Sequence, residues 1–202
     1  MPDKSPEKLR EDSLEHLRYE IQMLQETAQR LLRDDKLHTD AVLKNAMVES
    51  CIVHARSLFG FIFPENAHTD DITSDDYVRD KGAWSTARGD EPVVLKTLNI
   101  RTAKEIAHLT TKRRVDGDPS KSWPLQEIIE ALHVLLKKFN AHAAPDRLHP
   151  DVSRFIAGLR PPIETAPSAV YNLLSTELET KLKFPTDVST TVPMMGWPKS
   201  SA

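Results

Sequence analysis

Residues 49–63, ESCIVHARSLFGFIF, decide the fold. The stretch is apolar on nearly every side, yet Glu49, His54 and Arg56 interrupt it. A helix that is apolar all round is normally buried. A buried charge is costly unless it is paired or hydrogen-bonded. The segment therefore reads as the central helix of a bundle whose polar side chains need partners, and the best candidates lie in residues 100–114. At about 100° per residue, Asn45, Glu49 and Arg56 fall close to one line, while His54 points elsewhere, near Ser50 and Ser57. A structural reading makes Glu49 and Arg56 a buried network that fixes helix register, with His54 satisfied by a hydroxyl or carbonyl. A functional reading has one or more of them lining a pocket or interface.

Outward from this helix, the chain divides by its stop and start signals. Thr39 or Asp40 can open the central helix, and Pro64 must end it. Before it, Ser5 or Ser13 can cap a first helix, with Pro6 suited to the first helical position. There Leu14, Leu17, Ile21, Leu24, Ala28 and Leu31 recur at spacings of three and four, one apolar stripe for packing. After Pro64 comes an acidic loop, then a short helix over 74–80 anchored by Tyr77 and Val78. Residues 81–90 read as loop, punctuated by Gly82 and Gly89, with Trp84 as a packing anchor. A helix is expected from Pro92 or Thr97 to Arg113, with a break near Asn99. VDGDPS at 115–120 is a turn. The cleanest amphipathic helix follows Ser122-Trp123-Pro124 and runs to about Ala144, with Leu125, Ile128, Ile129, Leu132, Leu135, Leu136 and Phe139 as its core face.

Beyond Ala144 the composition shifts, for eight of the fourteen prolines lie from Pro145 onward. Short helices are expected at 151–159 and 168–183. The end of the chain reads as a disordered tail whose Met194, Met195 and Trp197 could dock on a protein partner. No segment alternates as a strand. The expected fold is all-α: a four-helix-type bundle over 5–144 and a Pro-rich extension over 145–202.

Composition narrows the function classes. The 202 residues carry a formal charge of −3 and a pI near 6.2, which argues against a general nucleic-acid coat or a membrane-surface protein. Cys51 is the only cysteine, so no intrachain disulfide can form, and in an apolar helix it reads as a small hydrophobe. The charged N-terminus lacks the apolar core of a signal peptide, and the longest apolar run is too short to span a bilayer. A cytoplasmic protein with no membrane association is the expectation. Six glycines are few, and no GxGxxG, Walker A, GxSxG or HExxH motif occurs. Nucleotide-binding, hydrolase-elbow and zincin chemistry are disfavoured, and no cofactor is expected.

The sharper polar constellation is IRTAKEIAHLTTKRR at 100–114. Arg101 and His108 stand seven apart, so an α-helix would project them from one face. Glu105 lies between them and Lys112 extends the stripe. Histidine titrates near neutrality and can move a proton, and arginine offers a planar fork to phosphate oxygens. RNA supplies its own 2′-hydroxyl nucleophile, so such a pair could cleave it without a metal. Structurally, the same residues could be a solvated charged helix face. His142, Asp146, His149 and Asp151 match no common zinc spacing, and Asp70, Asp71, Asp75 and Asp76 lack the glycine and terminal glutamate of an EF-hand loop. Helix capping is the simpler account of these aspartates, and no metal site is expected.

The order of these pieces resembles a group of bacterial helical proteins of unassigned function. They share a helix like ESCIVHARSLFGFIF, an acidic loop with a short helix like DDITSDDYVRD, a helix like IAHLTTKR, and an amphipathic helix after a tryptophan. The likeness covers residues 41–143. A wider resemblance is to the HEPN superfamily of helical bundles, whose signature is an arginine followed after four to six residues by a histidine. Arg101-TAKEIA-His108 has a gap of six, and Thr102 stands where the family often has Asn, Asp or His. The resemblance implies an RNA-binding or metal-independent RNA-cleaving homodimer, with Arg101 holding phosphate, His108 as general acid/base, and Glu49, His54, Arg56 and Lys112 in support. The alternative is a non-catalytic helical protein–protein interaction module in which the same residues are structural.

Overall fold

The structure, a computed structural model, describes residues 4–33, 39–65, 67–107 and 122–160 and the backbone of 170–172. These residues are mostly helical, as the all-α class requires. Helix α1 (Pro6–Asp12) starts where Ser5 Oγ accepts the Lys8 N–H at 3.3 Å, with Pro6 at the first position. The backbone stays helical through a π turn (Ser13–Leu17) into α2 (Arg18–Arg33), forming one continuous rod. The predicted stripe is the packed one: Leu17, Ile21, Leu24, Ala28 and Leu31 are buried, and Leu14 is partly so.

Helix α3 (Ala41–Ile62) is capped by Asp40, whose carboxylate accepts the Leu43 N–H at 3.0 Å. Its buried face, from Val48 and Cys51 through Ile52, Ala55, Leu58, Phe59 and Ile62, packs chiefly on α2. The opposite face is open. Glu49, Val53, Ser57 and Gly60 are all exposed. This corrects the expectation of a helix buried on all sides. Apolar character shows that a face can be buried, but a neighbouring element must be there to bury it.

Helix α4 (Ser74–Tyr77) opens with a capping box between Thr73 and Asp76. Tyr77 and Val78 are buried anchors, as expected, and the Tyr77 hydroxyl donates to the Leu9 carbonyl at 3.0 Å. Residues expected to be loop form α5 (Lys81–Arg88) instead. Asp80 caps it by accepting the Ala83 N–H at 2.9 Å, and Gly89 ends it at φ 73°. An aspartate before and a glycine after are helix boundary signals, and the interior Gly82 obscured them.

Helix α6 (Val93–Thr102) runs straight through Asn99, where a break was expected, and changes character only at a π turn (Ala103–Ala107). The remainder of the helix expected to Arg113 lies outside the described residues. Strand β1 (Ser122–Pro124) pairs antiparallel with β2 (Val170–Asn172). That pairing corrects the expectation of no strand and, at residues 170–172, that of a helix over 168–183, whose other residues lie outside the described ones. Three-residue strands are too short to show a period of two. The rest of the extension beyond Arg160, with Met194, Met195 and Trp197, lies outside the described residues.

Helix α7 (Leu125–His142) buries the face read from sequence, and α8 (Pro150–Ala157) follows. The Phe139 ring meets Phe61 at 5.2 Å and Tyr77 and Trp84 at 5.9 Å, all near edge-on. This aromatic cluster ties α3, α4, α5 and α7 into one core. The buried Ser13 joins the π turn after α1 to the start of α8: its hydroxyl donates to the Arg10 carbonyl and accepts the His149 N–H at 3.0 Å.

Candidate functional site: the cleft between α3 and α6

Pro64 ends α3, and the loop to α4 folds back beside α6. Between them opens a cleft of about 810 Å³. Val53, Arg56, Ser57 and Gly60 of α3 form one wall, and Lys96, Asn99 and Ile100 of α6 form the other. Ile106 and Ala107 of the π turn close one end, and Pro64, Glu65, Asp71 and Thr73 border the loop side. Val53 and Ile100 are exposed apolar side chains, 45% and 48% accessible. The cleft thus offers apolar walls and charges of both signs.

Arg56 crosses the cleft from α3 to α6. Its Nε donates to Asn99 Oδ1 at 3.2 Å. Neither Nη atom is bonded to a described residue. Arg56 therefore does not complete the expected buried pair with Glu49. Glu49 is exposed on the open face of α3, one helical turn before Val53. His54 lies on the α2 side, where its Nδ1 meets Glu20 Oε2 at 2.9 Å, with the Tyr19 ring edge-on at 5.6 Å. The expected hydroxyl or carbonyl partner of His54 is a carboxylate. The three polar residues of α3 are thus split among three environments.

Arg101 is engaged inside the fold. Its Nε and Nη2 donate to the two Glu105 oxygens at 2.9 and 3.0 Å, a bidentate pair within the helix. Its Nη1 donates to the Ser122 carbonyl at 3.0 Å. The guanidinium also lies 4.1 Å from the centre of the buried Trp123 ring. Arg101 thereby fastens the end of α6 to β1. The residues after it are π-helical, and that wider turn does not carry the α-helical phase that aligns positions seven apart. His108 and Lys112 lie outside the described residues.

The other candidates resolve into structural roles. Asp76 accepts from Thr73 and pairs with Lys4 at 3.0 Å, and these bonds hold its carboxyl below the usual range against the upward push of burial. Asp71 accepts the His68 N–H. Arg79 pairs with Asp146, His142 bonds the Lys138 carbonyl, and His149 caps α8 by accepting the Asp151 N–H. Among the described residues no group of histidine, cysteine and carboxylate side chains could hold a metal ion. Burial pushes the Cys51 thiol up to about 12, so it stays protonated and unreactive.

Sequence reasoning missed Asn99, Glu20, Trp123 and Gly60. Asn99 drew notice only as a helix breaker, and its role as the partner of Arg56 depends on how α3 meets α6. No family model, curated protein or solved structure matches the chain. No helix among the described residues is long and apolar enough to cross a membrane.

Proposed function

We propose that the protein is a non-catalytic helical interaction module that binds through the α3–α6 cleft. The observation that carries this reading is Arg101. Every nitrogen of its guanidinium is committed to Glu105 or Ser122, and its face is stacked on Trp123. A phosphate-binding arginine needs a free fork. The described cleft lining also holds no histidine or cysteine, whereas its exposed Val53 and Ile100 suit a protein surface.

A HEPN-like RNA-binding or RNA-cleaving homodimer is the second reading. What favours it is the pair of cations in the cleft, Arg56 and Lys96, close to the turn that leads into His108.

The two separate in one assay. Purified protein is incubated with labelled RNAs of varied structure in the presence of a chelator. The interaction module leaves them intact. Metal-independent cleavage by the wild type, lost in a folded His108→Ala variant, overturns that reading in favour of the ribonuclease.

A further inference from the structure

The open face of α3 has a pattern of its own. Val42, Ala46, Glu49, Val53, Ser57 and Gly60 are all exposed, and they recur at spacings of three and four along the helix. A solvated helix face is ordinarily rich in long charged side chains. This one carries a single charge, and its apolar members include Val42 at 69% and Val53 at 45% accessible. Gly60 adds a separate observation. A Cβ built there would meet no atom within 4 Å. No described residue is close enough to Gly60 to exclude a Cβ there, although glycine in a helix interior costs about 1 kcal/mol relative to alanine. Its smallness would serve something approaching from outside.

Resting on the interaction-module reading, we propose that the occupant of this face is a second copy of the chain, with α3 packed antiparallel on α3 across a two-fold axis that crosses the open face midway between Glu49 and Val53. Such an interface is isologous, so the pattern must complement itself when reversed. It does. The axis sets Val42 opposite Gly60, Ala46 beside Ser57, and Glu49 opposite Val53. The large residue at one end of the stripe meets the missing side chain at the other. The Gly60 end of the stripe opens into the α3–α6 cleft, which receives the first turn of the partner copy's α3.

Charge selects the second copy over other occupants. Glu49 and Arg56 flank the same side of the stripe. A two-fold axis of this orientation keeps them on one side, within one helical turn across the interface. Neither Glu49, which is exposed, nor the two Nη atoms of Arg56 make a bond to a described residue. Each copy supplies the charge that the other lacks, so the interface contains two equivalent Glu49–Arg56 pairs. The buried pair expected within one chain forms instead between two.

Sedimentation or light scattering on the full chain tests this. Wild type is expected to be a dimer. Gly60→Leu should be monomeric with an unchanged circular dichroism spectrum, since a Cβ at this position meets no atom within 4 Å, the position lines the open cleft, and leucine has the higher helix propensity. Glu49→Arg and Arg56→Glu should each weaken association on the order of 100-fold by placing like charges together. The double swap should restore it, a result that damage to the Arg56–Asn99 contact cannot produce. A wild type that stays monomeric up to its solubility limit overturns the proposal, as does a dimer indifferent to Gly60→Leu and to both charge reversals. Neither result bears on RNA cleavage, so the failure of this proposal is distinct from failure of the interaction-module reading.

Discussion

His133 is 5% exposed on α7, and neither ring nitrogen has a partner among the described residues. Burial, then the nearby Lys137, pushes its pKa down to about 4, with Glu130 opposing. The folded protein therefore holds a neutral imidazole where the unfolded chain would protonate near 6.5. Stability should be full above that value, fall by up to about 1.4 kcal/mol per pH unit as the pH drops from 6.5 toward 4, and level off below. Denaturant melts across this window would show the slope, and His133→Leu should raise the midpoint and remove it. A slope unchanged by the substitution would assign it to other groups. Arg101 is the opposite case, a charge whose every donor is used. Arg101→Ala should cost about 2–4 kcal/mol, because it strands Glu105 and uncovers Trp123. Arg101→Lys should lose less but more than a surface change, since an ammonium cannot make the bidentate pair.

At the scale of elements, the end of α3 is held by side chains of its successors. The Ile62 carbonyl accepts from Ser74 Oγ at 3.3 Å and from Arg88 Nη1 at 2.7 Å. Ser74 Oγ in turn accepts the Trp84 indole N–H at 3.0 Å, and Arg88 lies over the Phe63 ring at 4.9 Å. One hydroxyl thus links α3, α4 and α5. Ser74→Ala leaves a buried indole N–H without its partner, and should lower stability by about 1–3 kcal/mol. Thermal unfolding followed by tryptophan fluorescence measures the loss. A shift under half a kcal/mol would mean that water replaces the hydroxyl. The short α5 was the element least legible in the sequence. Its Asp80 and Gly89 boundaries are local signals, but what keeps so short a helix folded is the burial of Trp84 against α7.

Across the whole molecule, order should follow burial. The slowest-exchanging amides are expected in the buried turns of α2, α3 and α7, which share the core around Leu24, Ile52 and Leu132. Hydrogen exchange read residue by residue would check this. Equal protection in the turns around Val93 and Ile100 on α6 would show a wider cooperative unit. The sequence by itself determined the helical class, the stripes of α2 and α7, the pair of candidate caps Ser5 and Ser13, the stop at Pro64 and the anchors Tyr77 and Val78. Those features depend on spacing and on local capping chemistry, which a single chain carries in its own order. Only the tertiary structure decided that α3 has an open face, that Arg56 reaches Asn99 while His54 reaches Glu20, and that Arg101 is spent on Glu105, Ser122 and Trp123. A polar residue's partner depends on which elements meet and at what distance, and that geometry is absent from periodicity.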